Sequence, residues 1–327
     1  MENDEQLILL TKIIDLLGDQ IDGDIKIPNE GISTANYFVK TKKYKELVIR
    51  VREAEDSTIS FEARVLNFLK DKPINVPKIV SFSDGTIERV IGNKRVLAYI
   101  PIKGKTVSTA ELSNTQITIE ASQLLAKLIN YNSMYTPDGG EPTGDIDYVK
   151  KIYLNFINDH SQFKSSQFFS DALPIIEDPK FNDLLSNTPK GIVHADYFYE
   201  NIIQDQNNHV VGVIDFGDAY FGCVLNDIVI GSMEFSVLEK NEVWDKNLFE
   251  LFLTQQRTWL IENKIDFELF MNVLLMNCLR FAIYTLGFEL EENPKSKIEN
   301  NRYVKRFYSF NGRYHQDINE IYNRLTN

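Results

Sequence analysis

Cysteine is nearly absent: Cys223 and Cys278 are the only two in 327 residues. That scarcity excludes a disulfide framework and leaves two buried free thiols as the expectation. A basic surplus is missing too. Asp and Glu number 47 against 35 Lys and Arg, a formal net charge of −12. Such a balance argues against a nucleic-acid or anionic-membrane surface, although a local basic patch could still cradle phosphate, and it suits a cationic or amine-bearing partner. No apolar run reaches membrane-spanning length, and the opening MENDEQLILL begins with acids rather than the basic stretch of a signal peptide. A cytoplasmic protein is expected. Repeats and low-complexity tracts are likewise missing. What is there is a globular composition, 43% hydrophobic and 25% charged, with length enough for one large domain or two lobes with ample core.

The period of the apolar residues changes once along the chain. Residues 5–18 read as an amphipathic helix with Leu7, Ile8, Leu10, Ile13, Ile14 and Leu17 on one face. Residues 35–41 and 45–51 have strand composition and flank the lysine-rich KKY, a hairpin pattern. A helix over 58–71 turns Phe61, Val65, Leu66 and Leu69 inward. A strand opened by Pro77 runs to Phe82; a turn, another strand and a last strand over 94–102 complete the first part. Helical periodicity then takes over from about 109 to 132 and returns over 145–160, 174–187, 223–239, 246–263, 266–288 and 303–324. A β-rich 1–102 followed by a mainly helical 103–327 predicts an α+β chain of two lobes with a ligand cleft between them.

Two short stretches carry chemistry. GIVHADYFYEN (191–201) places His194, Asp196 and Asn201 after an apolar run, and VVGVIDFGDA (210–219) ends a second run at Asp215. His-x-Asp-x4-Asn followed by Asp-Phe-Gly is the order of parts used in phosphoryl transfer: one carboxylate for the attacking hydroxyl, an amide and a second carboxylate for Mg²⁺ on nucleotide phosphates. For Asn201 and Asp215 to reach one ion, residues 201–205 and 209–215 must pair as a hairpin with its turn near Gln206–Asn208. Hard oxygen donors suit Mg²⁺. Upstream, Arg50 sits in a strand and Glu62 lies twelve residues on, inside the next helix. A strand cation paired with a helix glutamate positions phosphates in kinases. Gly31, Ser33 and Thr34 form a small-residue loop that could cover phosphates, though it is not G-x-G-x-x-G.

Together these motifs resemble the aminoglycoside phosphotransferase and choline kinase-like superfamily, small-molecule kinases of protein-kinase-like fold. The resemblance runs from EGISTANYFVKT to LNDIVIG. GISTANYFVKT, VPKIVSFSDG and GIVHADYFYENII are most similar to the homoserine kinase type II branch, while GVIDFGDAYFGCVLNDIVIG resembles the hydroxylysine kinase branch at least as much. It implies a small β-rich lobe over 1–102 for the nucleotide and a larger helical lobe over 103–327 for the catalytic loop and acceptor. It implies ATP and Mg²⁺ as cofactors, Asp196 as catalytic base, Asn201 and Asp215 as metal ligands, Arg50 and Glu62 as the phosphate-side pair and Asp227 as a buried brace. Adenine would lie against the joining segment near Tyr99, Ile100 and Lys103. The acceptor would be an amino alcohol or hydroxy amino acid, homoserine first, then hydroxylysine, then choline or ethanolamine, with aminoglycosides a further option. Asn130 stands where many relatives have histidine.

Other readings compete at several positions. His194 is read as a loop brace, and His160, His209 and His315 as surface residues. Asp218 either touches metal or substrate or accepts backbone N–H groups in its turn. Tyr197, Phe198 and Tyr199 are read as packing, although Tyr199 could border the acceptor. Arg280, in the apolar LLMNCLRFAIYTLGF, is costly to bury unpaired. It either salt-bridges an acid, the preferred reading, or meets an anionic substrate group. A catalytically silent scaffold and a protein kinase are the rival functions. The second is disfavoured by the short segment after Asp215.

Overall fold

The computed structural model describes residues 2–26, 35–132, 135, 142–238 and 243–326. Helix α1 (Glu2–Leu16) precedes strands β1 (Ile21–Lys26), β2 (Ala35–Thr41) and β3 (Lys45–Glu53), then α2 (Thr58–Leu69). Strands β4 (Lys78–Ile79), β5 (Arg89–Ile91) and β6 (Lys94–Ile100) complete an antiparallel six-stranded sheet of order β1-β2-β3-β6-β4, with β5 also on β6. Register sets what each face carries, because directly opposed residues share a face. Phe38, Val48 and Tyr99 stand in one row and Asn36, Arg50 and Leu97 in the next. Val48, Leu97 and Tyr99 pack with α2, while Val39, Leu47, Ile49 and Val51 pack against Leu10, Ile13 and Ile14 of α1 and Leu17 just beyond it. The central strands β3 and β6 are thus buried on both faces.

A short strand β7 (Lys105–Thr106) leads into a mainly helical region: α3 (Thr115–Asn132), α4 (Ile146–Asp159), α5 (Gln167–Glu177), α6 (Pro179–Ser186), α7 (Leu225–Glu234), α8 (Lys246–Glu262), α9 (Phe267–Glu292), α10 (Arg302–Tyr308) and α11 (His315–Thr326). Helix α9 is the axis, with α4, α5, α7 and α10 against it. It is long and apolar enough by composition to cross a membrane, yet 83% of its apolar window is buried inside the protein. Between α6 and α7 lie β8 (Lys190–Val193), β9 (Ile202–Gln204), β10 (Val210–Val213) and β11 (Tyr220–Cys223). Strands β9 and β10 form the expected hairpin, and β8 pairs with β11.

Several boundaries differ from the sequence pattern. The helix expected over 174–187 is two: Asp178 is extended (ψ 117) before Pro179, and its side chain accepts from Lys180 N to start α6. α5 begins earlier, at Gln167, and tolerates Pro174. The helix expected from 223 starts at Leu225, because Tyr220–Cys223 are drawn into pairing with β8. The 303–324 helix is interrupted by a wider turn over Ser309–Arg313. Of the strand expected up to Phe82, only Lys78–Ile79 is regular strand, with Val80 N adding one bond to the Ala98 carbonyl at 2.8 Å. Both cysteines are buried and free, and burial pushes the Cys223 thiol up to about 12.

Candidate active site

The loop after β8 is built around Asp227, which lies in the first turn of α7 and has no exposed surface. Its carboxylate accepts from His194 N at 2.7 Å and Ala195 N at 2.9 Å. Burial pushes Asp227 upward while His194 and the two amides pull it back. His194, also fully buried, donates from Nε2 to the Ile214 carbonyl at 2.8 Å and accepts at Nδ1 from Asp196 N at 3.3 Å, which fixes its tautomer. The histidine is a brace with both ring nitrogens engaged. Ala195 is left-handed, φ 69°, at a cost of about 1–2 kcal/mol for a residue with a Cβ.

Asp196 follows, partly buried. Asn201 Nδ2 donates to its carbonyl at 2.8 Å and to its Oδ2 at 3.0 Å, leaving Asn201 Oδ1 for another partner. Burial, then the charges of Asp218 and Asp215, push Asp196 up to about 8.

Asp215, at the end of β10, is also left-handed, φ 64°. Its side chain is half exposed to the cleft, and Oδ1 accepts from Arg50 Nη2 at 3.0 Å. Burial opposes ionisation, but the Arg50 charge outweighs it and holds Asp215 below the usual carboxylate range. Arg50 Nη1 meets both Glu62 oxygens at 2.9 Å, and Nε donates to Asn36 Oδ1 at 3.1 Å. Burial pushes the Glu62 carboxyl up against the pull of Arg50. One guanidinium therefore ties the sheet, α2 and the end of β10 together. Gly217 makes that approach feasible: a Cβ there would lie 2.8 Å from Arg50 Nη1, 2.8 Å from Arg52 Nη2 and 3.1 Å from Asp215 Oδ1.

The structure brings Arg50, Glu62, His194, Asp196, Asn201, Asp215 and Asp227 into one connected constellation. Tyr99 joins it by its side chain, which burial pushes up to about 12 beside Arg50, while its backbone lies between β3 and β4. Ile100 and Lys103 line a neighbouring cavity of about 1020 Å³ with Phe38, Lys40, Ile102 and Gly104. Gly31 and Ser33, with Thr34, lie outside the described residues. Asp218 is exposed, and among the described residues its carboxylate has no hydrogen-bond donor; only its carbonyl is met, by Thr143 Oγ1 at 3.2 Å. It reaches electrostatically to Tyr284, whose hydroxyl bonds that of Tyr148. Tyr197 is packing, its hydroxyl on the Ala121 carbonyl at 2.7 Å.

Arg280 departs from the preferred reading. It is 2% exposed, and among the described residues Nη1 donates to the Ala195 carbonyl at 2.9 Å rather than to a carboxylate. The tight loop after β8 leaves over a carbonyl that no sequence pattern marks. Phe38 and Arg52 were the residues that sequence reasoning passed over. Period-two alternation with Val48 and Arg50 could have placed both on the cleft face.

Asp196, Asp215 and Asp218 crowd negative charge together, and burial followed by the charges of the other two raises Asp196 against the pull of Arg280. Asn201 Oδ1 and the Asp215 carboxylate are hard oxygen donors that could hold Mg²⁺ with nucleotide phosphates completing its shell. The donor set fits that ion.

Comparison with known proteins agrees with this geometry. The profile of the phosphotransferase enzyme family matches residues 24–259. The chain belongs to this family. It is a small-molecule kinase, an enzyme that phosphorylates a hydroxyl group. Over 227 residues it is 22% identical to homoserine kinase of Neisseria meningitidis serogroup B, covering 68% of this chain and 70% of that protein. Choline kinase from Cryptosporidium parvum Iowa II superposes with a TM-score of 0.61 at 16% identity, over 93% of both chains. Amicoumacin kinase in complex with AMP-PNP and Ca²⁺ gives 0.62 at 14% identity, over 94% of this chain and 92% of that one. These structures establish the kinase-like two-lobe fold.

Proposed function

We propose that this phosphotransferase moves the γ-phosphate of ATP to the hydroxyl of a small amine-bearing metabolite, an amino alcohol or hydroxy amino acid, with homoserine the first choice. The carrying observation is the convergence of Asp196, Asn201 and Asp215 on one cleft under the Arg50–Glu62 pair. The homoserine kinase likeness supports the acceptor class. In this reading residues 1–102 hold the nucleotide and 103–327 carry the catalytic loop and acceptor site.

Ile100 and Lys103 border the adenine, and Phe38, 45% exposed on the cleft face of β2, roofs it. Arg50, oriented by Glu62, takes up phosphate charge. Asn201 and Asp215 would hold Mg²⁺, which supplies charge neutralisation at the phosphates. Asp196 orients the acceptor hydroxyl and takes its proton at a carboxylate oxygen; a raised carboxyl is a stronger base than an ordinary one. Asn201, bonded to Asp196 Oδ2, keeps that carboxylate turned to the cleft. Asp218 faces the acceptor amine.

ADP release measured with Mg·ATP against L-homoserine, hydroxylysine, choline, ethanolamine and an aminoglycoside tests the reading. Turnover should be greatest with an amine-bearing acceptor and L-homoserine is expected to lead. Silence with all five, or equal turnover without any acceptor, would refute it.

A further inference from the structure

Arg280 is the residue that neither the motifs nor the reaction chemistry uses. It stands in the middle of α9, where Leu274, Leu275, Met276, Cys278, Leu279, Ala282 and Ile283 are all buried. A guanidinium in such surroundings is costly unless its donors are satisfied. Among the described residues Arg280 makes no salt bridge, although its charge acts on Asp196 and Asp227; its Nε is buried without an acceptor, and its guanidinium lies over the Phe281 ring at 4.8 Å. Among the described residues its hydrogen bond runs to the carbonyl of Ala195.

That carbonyl belongs to the peptide unit joining Ala195 to Asp196. Its other end, Asp196 N, is held by His194 Nδ1. The preceding unit is held through Ala195 N by Asp227. Two successive peptide planes are therefore pinned, one by an acid from α7 and the other by an arginine from α9, around a residue whose φ of 69° an alanine resists. Without the Arg280 bond, Ala195 has one fewer reason to stay left-handed. Its relaxation would swing the plane from which the Asp196 side chain is aimed.

We propose that Arg280 is a positioning residue for the transfer reaction: by binding the Ala195 carbonyl it locks the left-handed turn that points Asp196 into the cleft. The inference rests on the role of Asp196 given above. It makes a demand that simple structural support would not make, because the defect of an Arg280 variant should be relieved by removing the strain at Ala195.

The test is a double-mutant cycle with Arg280→Met, Ala195→Gly and the pair, using L-homoserine and Mg·ATP. Arg280→Met should lower kcat by about tenfold to a hundredfold with both KM values within about threefold, since orientation rather than binding is lost. Adding Ala195→Gly should recover at least about threefold of that kcat, because glycine adopts the turn without penalty. Arg280→Lys, which keeps a donor, should lie between wild type and Arg280→Met, and serves if the methionine variant fails to fold. Amide hydrogen exchange at Ala195 and Asp196 should quicken in Arg280→Met. This readout needs no substrate, so it decides the inference even if wild type proves silent with L-homoserine and the proposed acceptor falls. Unchanged kcat, an acceptor KM raised more than tenfold at constant kcat, unrelieved loss in the double variant, or unchanged exchange would each overturn the proposal.

Discussion

For the proposed transfer Asp196 has to be both aimed and basic, and different neighbours supply the two properties. Aim comes from Asn201 Nδ2 on Oδ2 and from the pinned backbone of residues 194–196. Basicity comes from burial and from the nearby Asp218 and Asp215. Asp196→Asn keeps the shape and removes the proton acceptor. Turnover is expected to fall by about two to four orders of magnitude, with Mg·ATP affinity nearly unchanged in calorimetry. Turnover within about tenfold of wild type would show that another group takes the proton. Asp215 behaves differently, because it faces both the proposed cation and Arg50. Asp215→Ala should abolish Mg²⁺-dependent ATP binding by removing an oxygen ligand from triphosphate charge. Asn201→Ala should be milder, since water can replace an amide. Equal Mg·ATP affinity in wild type and Asp215→Ala would remove Asp215 from the metal site.

Elements explain which of these residues were legible in the chain. Strand β3 and helix α2 are plain from their apolar periods, and the kinase pattern of a strand cation with a helix glutamate then pairs Arg50 with Glu62. The β9–β10 hairpin could be inferred because two ligands must meet one ion, and its turn is closed by Asp205, which accepts from Asn207 N at 2.8 Å. Strand β1 was hidden, since Asp22, Gly23 and Asp24 interrupt its alternation. The left-handed Ala195 and Asp215 were hidden as well, because neither is the glycine that usually marks such a backbone. Arg280 was recognised as needing a partner, but a sequence does not show where a backbone carbonyl will be left over. Asp227 was legible through the resemblance alone, and its placement on α7 makes a prediction about the element. Asp227→Ala strands two buried N–H groups, each worth about 1–3 kcal/mol when left without an acceptor. Urea unfolding should therefore register a loss on the order of 2–6 kcal/mol. A loss below about 1 kcal/mol would mean that α7 does not carry the loop.

Charge is the property of the whole molecule that bears on the acceptor. The chain has a net charge of −12, and inside the cleft that excess is concentrated where Asp215 and Asp218 are open to solvent beside the more buried Asp196. Among the described residues the Asp218 carboxylate accepts no hydrogen bond, and its side chain is exposed. Arg50 is already engaged by Glu62 and Asp215, and Arg280 by the Ala195 carbonyl. A ligand entering beside Asp196 therefore meets the Asp215 and Asp218 carboxylates. Low-dielectric walls strengthen such a field, which favours an ammonium within a few bonds of the reacting hydroxyl. Removing that amine from the acceptor should lower kcat/KM by about tenfold to a hundredfold, the loss of roughly 1.5–3 kcal/mol typical of a hydrogen bond to a charged group. Asp218→Asn should produce a comparable loss with the amine present and little further loss without it, because the two changes delete the same interaction. Raising salt from about 0.05 to about 0.5 M should raise KM for the amine-bearing acceptor, as Asp218 is exposed enough to be screened. If glycerate or a neutral sugar is phosphorylated more efficiently than homoserine, hydroxylysine, choline and ethanolamine, the charge of the cleft does not select the acceptor, and Asp218 has no part in choosing it.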